Sequence, residues 1–464
     1  MTSYHMTPDE FRAAGHELVE WVARYMESVA GTRILPDVRP GEIIAALPGA
    51  APEEPEPFSA IAADLDEIIM KGVTHWQSPG WFAYFPANTS GPAILGDLVS
   101  SGLGQQGMLW ATSPATTELE MVVVDWLADL LGLPQSWKTT GPGGGVIQMS
   151  ASDSTHTALV AARHRKQGEA APNDMVAYTS AQAHSSIEKG ANIAGYGHVR
   201  LIDVDAVFAM DLKALDVAIA TDRAAGLTPT FVGSAVGTTG TTAVDPVQEI
   251  GEIARREGMW HHVDAAYAGT AMICEEFRHY QDGLELVDSY TFNPHKWMFT
   301  NFDCSVFYVA DREPLIDAMS ITPPYLRNRA SDSGDVIDYR DWHVSMGRRF
   351  RALKLWFVLR SYGAVGIRHH IREHVRLAHW LEAQIGRDDR LQLVAPTPFA
   401  LVSFRHRSGD QATSDLAEAI NSSGHSYVTV SQVDDAPFIR VSIGQTSTEE
   451  RHVERLWGLI SKRA

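Results

Sequence analysis

The chain is poor in cysteine, poor in basic charge and without a long apolar run. Its two cysteines, Cys274 and Cys304, can form at most one bridge, so no disulfide framework holds the fold, and a reducing cytoplasm is the expected compartment. Lys plus Arg number 38 against 57 Asp plus Glu, a formal charge of -19. Nucleic acid and anionic membrane are held chiefly through Lys and Arg, so both are disfavoured as main partners. No uncharged apolar stretch reaches the roughly 20 residues that a membrane helix needs, and the first residues lack the basic-then-apolar layout of a secretory signal. Repeats and low-complexity tracts are also missing. What is there is 464 residues, 45% hydrophobic and 20% charged, the composition of an ordinary globular protein. That length suits about three folding units, or one large α/β unit with a satellite.

Phe11, Ala14, Leu18, Trp21, Val22 and Tyr25 recur at helical spacing. Thr7 as N-cap, Pro8 at the first helical position and Glu10 as capping-box partner mark the start of that helix. Its aromatic face needs a cover, on its own domain or on a second subunit. A Pro-rich acidic stretch follows and reads as an extended arm. From about residue 90, apolar segments punctuated by glycine alternate with helical periods, the habit of α/β folds. Strands are expected at Met175–Thr179, Thr230–Ala235, Met259–Val263, Ser289–Phe292 and Ser305–Val309, and helices at Thr155–Gln167 and Pro246–Glu257. A helix from about Arg349 to Tyr362 leads into a C-terminal region with short strands near Leu393–Val394 and Ala400–Phe404. The expected division is an N-terminal helical arm over 1–90, a large domain over 91–352 and a small α+β domain over 353–464.

Four segments carry chemistry. In Ser289-Tyr-Thr-Phe-Asn-Pro-His-Lys-Trp a strand stops at Asn293-Pro294 and delivers Lys296 beside aromatic residues, where a lysine can be deprotonated and nucleophilic. In Trp260-His-His-Val-Asp-Ala-Ala-Tyr-Ala-Gly, Asp264 ends an apolar strand, the place where open α/β sheets assemble ligand sites. The run Gly143-Gly-Gly-Val-Ile-Gln-Met-Ser-Ala-Ser brings small residues before a helix, where backbone N–H groups can hold an anion. His184, in Gln182-Ala-His-Ser-Ser, stands at a strand-to-helix junction and could stack on a flat ligand. Singly, each has a bland structural reading. Together they supply a Schiff-base lysine, a carboxylate for a pyridinium nitrogen, a phosphate cup and a stacking ring, the parts that hold pyridoxal phosphate. A metal site on His261, His262, Asp264 and His295 is disfavoured, because adjacent strand residues point to opposite faces.

The stretches THWQSPGWFAYFP, SPATTELE, QAHSSIEK, HVDAAYAG, NPHKW, NFDCS, PPYL and DYRDWHVSMGRRFRALKLWFVLRSYG resemble those of the group II pyridoxal-phosphate-dependent decarboxylases, most of all the aromatic L-amino acid decarboxylases. The likeness implies fold type I, the aspartate aminotransferase-like α/β architecture. It has a mixed, mostly parallel seven-stranded sheet, a small C-terminal domain and a homodimer with intertwined N-terminal segments. It gives Lys296 the part of the cofactor lysine, Asp264 that of the ring-nitrogen partner and His184 that of the stacking ring. Ser150, Ala151, Ser152 and Asn293 match phosphate positions, and Thr239 and Ala266 lie in cofactor-contact stretches. Tyr325 matches a loop tyrosine that returns a proton to the substrate carbon, on a polar lid from about Ile321 to Asp335. His295 supports Lys296 or assists proton transfer.

By the same likeness, Trp76, Tyr84, Phe85 and Pro86 form an aromatic substrate pocket and Gly347 leaves room for a bulky ring. Gln106 and Met108 stand where animal members carry bulkier apolar residues facing the neighbouring subunit, and Ala87 replaces a hydroxyl. The implied reaction is decarboxylation of tryptophan, dihydroxyphenylalanine, tyrosine or phenylalanine to the aryl-ethylamine. The rivals are an aromatic aldehyde synthase, disfavoured by Tyr325 and His184, and an acidic amino acid decarboxylase, disfavoured by Trp76 to Phe85. A non-catalytic scaffold would be expected to lose Lys296, Asp264 or Tyr325.

Overall fold

The computed structural model describes residues 4–321, 329–333, 336–433 and 435–464. Strands β1 (Gly144–Gln148), β2 (Met175–Ser180), β3 (His198–Ile202), β4 (Thr228–Ala235), β5 (Trp260–Asp264), β6 (Ser289–Phe292) and β7 (Ser305–Val309) form one sheet in the order β1-β7-β6-β5-β4-β2-β3. β7 runs antiparallel to both neighbours and the other pairs are parallel. Every residue of β1, β2, β5, β6 and β7 is buried, as befits strands covered on both faces, so none alternates between buried and exposed positions. Helices cover both faces. Leu159 and Ala162 of the Ala151–Arg165 helix pack with Val146, Phe231 and Phe307, while Leu215, Ile219, Ile250 and Ile253 pack with Val176, Tyr178 and Val232.

Two strands of the large sheet were not expected. β1 is written in glycine because rings crowd it. A Cβ on Gly144 would stand 2.6 Å from Trp342, and one on Gly145 would stand 2.6 Å from Tyr308. β3 is a half-exposed edge strand of mixed polarity. The helix expected from Thr155 begins at Ala151, because Ser150 caps it by accepting from the Asp153 N–H at 3.2 Å.

The long helix Arg351–Gly386 breaks at Gly363, which takes φ 61° and so divides it one residue past the expected end at Tyr362. Beyond it, β8 (Leu391–Leu393), β9 (Leu401–His406), β10 (Thr429–Val433) and β11 (Ala436–Ser442) make a small antiparallel sheet in the order β10-β11-β9-β8. A strap from Gly80 to Ser90 joins this sheet to the large one. Phe82 N–H donates to Tyr427 and Phe82 C=O accepts from Ser442, each at 2.9 Å.

The Pro8–Ser28 helix starts on the expected capping box. Trp21 reaches Asp66 and Tyr25 reaches His75, yet no residue of the helix is buried within the chain, and Phe11 is 60% exposed. Leu95, Leu98, Val99 and Leu103 of the Gly91–Leu103 helix are exposed too. Among the described residues no helix is long and apolar enough to cross a membrane.

Candidate active site

The C-terminal ends of β1, β2, β4, β5 and β6 share one edge of the sheet, where an open α/β architecture leaves a crevice. Asp264 ends β5. Past β6, Asn293 leads into the single-turn helix Pro294–Trp297 that carries Lys296. Past β4 come Thr238 and Thr239; past β2 comes His184; past β1 comes Ser150 at the head of the Ala151–Arg165 helix. All of them line one cavity of about 200 Å³, together with Phe85, Ser152, Ala266 and His295.

Burial pushes the Lys296 ammonium below its usual range, the nearby Asp264 carboxylate opposes the shift, and the Arg440 guanidinium adds to it. Lys296 Nζ lies 5.2 Å from the centre of the Phe85 ring. One oxygen of Asp264 accepts from the Ala266 N–H at 2.9 Å. His184 is also pushed down, chiefly by burial. Its Nδ1 accepts from the Ser186 N–H at 3.1 Å, so the neutral ring carries its proton on Nε2. His295 is pushed down to about 3 by burial and Lys296, and its Nδ1 accepts from the Cys304 N–H at 2.9 Å. That bond fits a supporting part, because it ties the ring to the strand that follows.

At the helix head, the first N–H groups have no carbonyl of their own helix to meet. Asn293 Oδ1 is buried without a hydrogen-bond partner among the described residues, a spare polar atom in the cavity wall. Phe85 stacks on Tyr267 at 4.1 Å, and Tyr267 stacks on Trp297 at 4.6 Å, so a column of rings backs the lysine.

The remaining expected pocket residues do not line this cavity. Trp76 and Tyr84 stack on each other at 5.6 Å and on Trp81, and Pro86 packs beside Gly444. Gln106 Oε1 accepts from the Arg348 N–H at 3.0 Å, next to Gly347, and Met108 C=O accepts from Arg340. These three gather near the buried Glu120–Arg348 ion pair. Gly347 borders a second cavity of about 140 Å³ with Gln148, His156 and His343. Tyr325 lies outside the described residues.

A model of the pyridoxal-dependent decarboxylase conserved domain matches residues 40–407. The chain belongs to the pyridoxal-dependent decarboxylase family. It is 45% identical to the aromatic-L-amino-acid decarboxylase of Bos taurus, over 99% of this chain and 97% of that protein. It is 42% identical to the phenylacetaldehyde synthase of Arabidopsis thaliana, over 99% and 96%. The solved structure of Oryza sativa TDC with PLP and tryptamine superposes with a TM-score of 0.97 at 40% identity, covering 100% of this chain and 99% of that one.

The decarboxylase domain match takes in every residue expected at the site, but stops short of Arg440 on β11, which sequence reasoning missed. Arg440 is 4% exposed and its guanidinium carbon lies 5.2 Å from the centre of the Phe85 ring. Nε donates to Gly240 C=O at 2.9 Å and Nη1 to Thr429 Oγ1 at 3.1 Å, while the buried Nη2 has no partner among the described residues. Burial pushes its pKa down to about 10. The available signal was a lone charge inside the apolar strand Phe438-Ile-Arg-Val.

Proposed function

We propose that the cavity around Lys296 is the active site of a carboxy-lyase that releases carbon dioxide from aromatic L-amino acids and leaves the aryl-ethylamine. The cofactor is pyridoxal phosphate. The observation that carries the reading is a buried lysine with a destabilised ammonium in one cavity with Asp264, His184 and a helix N-terminus.

The residues present fit the cofactor. Lys296 would anchor it covalently, the head of the Ala151–Arg165 helix with Ser150, Ser152 and Asn293 would hold its phosphate, and Thr239 and Ala266 would border it. Ala151 and Ser152 at the head of that helix line the cavity, and a helix N-terminus favours an anion, which supports this part of the assignment. Bound there, pyridoxal phosphate supplies an electron sink for the charge left at the substrate α-carbon.

Asp264 lines the cavity, with one oxygen held by the Ala266 N–H, and would keep a proton on the pyridine nitrogen by Coulomb attraction in a dry site. Neutral His184 would lie flat against the ring. The spare Nη2 of Arg440 would receive the substrate carboxylate and help decide which bond at the α-carbon breaks. Tyr325 would return a proton to that carbon. Trp76, Tyr84, Phe85 and Pro86 would supply apolar walls on one side, and Gly347, Gln106 and Met108 of a second copy those on the other. The assembly is then a homodimer, in which a partner covers the exposed faces around Phe11 and Leu98, and the compartment is the cytoplasm, in keeping with two free thiols.

Incubating the protein with each aromatic L-amino acid and measuring carbon dioxide, amine, aldehyde and peroxide tests the reading. Amine with stoichiometric carbon dioxide is expected. The likeness to phenylacetaldehyde synthase gives the second reading, an aldehyde-forming enzyme, which the appearance of aldehyde, ammonia and peroxide would establish in its place.

A further inference from the structure

The helical turn bearing Lys296 is only four residues long, Pro294–Trp297. Its Pro294 carbonyl accepts from the Met298 N–H at 3.1 Å, but the His295 and Lys296 carbonyls meet no N–H of the turn, and so short a turn cannot hold its shape unaided. One residue meets both central carbonyls. Asn88 N–H donates to His295 C=O at 3.0 Å, and Asn88 Nδ2 donates to Lys296 C=O at 2.8 Å. The second Nδ2 hydrogen goes to Gly444 C=O at 2.7 Å, and Oδ1 accepts from the Thr446 N–H at 2.9 Å and shares the Thr446 hydroxyl proton, at 2.9 Å, with Thr89 C=O at 2.8 Å. The amide orientation is fixed by its partners, since two carbonyls must face the NH2 and a backbone N–H must face the oxygen. Asn88 is 1% exposed and its side chain has no hydrogen-bonding capacity left over.

Three parts of the chain therefore meet on one side chain: the strap, the Lys296 turn, and the loop that leaves β11 four residues after Arg440. We infer that Asn88 is a positioning residue, which sets the reach of Lys296 into the cavity and ties it to the placement of the small sheet. This rests on the assignment of Lys296 as the cofactor lysine. Asn88→Asp keeps the volume but turns an acceptor toward two carbonyls, so it separates positioning from packing. Asn88→Ala removes all four side-chain bonds. Thr446→Val leaves the bonds to Lys296 in place and weakens only the hold on the small sheet.

The test uses full-length protein reconstituted with pyridoxal phosphate. It follows the pH titration of the visible band of the lysine-bound cofactor, borohydride labelling mapped by mass spectrometry, and kcat and KM. Both Asn88 variants should move the titration midpoint by about half a pH unit or more. They should also lower kcat about tenfold while KM changes less than about twofold, as expected for a misplaced reacting group. Thr446→Val should give a smaller shift of the same sign, and keeps the test available if an Asn88 variant fails to fold. Parent protein labelled at Lys296, with variants that match its midpoint and kcat and differ only in melting temperature, overturns the inference alone. Parent protein labelled elsewhere overturns the assignment of Lys296 and the inference with it.

Discussion

Lys296, Asp264 and His184 stand at the ends of buried strands in one sheet, whereas Gln106, Met108 and Gly347 sit on loops that meet one another but not the cavity. On the first side each side chain follows directly from a strand whose register the core fixes. On the second, position depends on a surface that the chain leaves open. On the proposed reading, chemistry would be placed by the fold, and selectivity by what the fold leaves uncovered.

That contrast is broken or sharpened by four measurements. Lys296→Ala should reduce amine formation by about 10⁴-fold or more, beyond what one proton-transfer group contributes, and abolish borohydride labelling; amine formation near the parent rate would show that the strand-end residues are not the chemical machinery. Tyr325→Phe should cost about 10²- to 10⁴-fold in amine and shift products toward aldehyde and peroxide, while carbon dioxide release continues; amine at the parent rate would pass the proton to His295 or to water held by His184.

Gly347→Ala should act on the second side alone. Among the described residues its new Cβ would meet only Gln106 Nε2, at 3.8 Å. Folding and the cofactor band should persist, and kcat/KM for tryptophan should fall about tenfold relative to tyrosine. A lost cofactor band would mean that the two sides are not separable.

The smallest effect is on stability. His261, His262, His295 and His374 are buried neutral, with pKa values of about 3, 4, 3 and 3. Their folded values lie below the usual 6.5, so the unfolded chain binds more protons between the two, and stability falls as pH drops from about 6.5 toward 4. Stability at pH 5 should therefore be measurably lower than at pH 7. Denaturant midpoints taken from pH 7 to 5 check this, and a flat profile would contradict it.

Much of this was legible in the sequence where burial and chemistry coincide. β5 and β6 are apolar runs that end on Asp264 and before Lys296, so strand and site announce each other. The seven-stranded sheet and small domain followed from the family resemblance rather than from periodicity. β1 was hidden because its glycines answer to the rings of Trp342 and Tyr308, and ring proximity leaves no local trace. Arg440 and Asn88 were hidden for the same reason: an arginine in a strand and an asparagine in a loop acquire meaning only when residues 200 or more positions away arrive beside them.

β6 and β7 are the closest neighbours along the chain in the large sheet, joined by residues 293–304 and paired from Ser289↔Val309 to Phe292↔Val306. β1, by contrast, must wait for β7 across more than 150 residues. Low contact order favours early pairing, so the segment that bears Lys296 should gain its shape ahead of the crevice around it. In a pulsed hydrogen-exchange experiment on refolding protein, the amides of β6 and β7 should become protected before those of β1, and the reactive lysine would then serve the growing fold as a local seed before it serves any substrate.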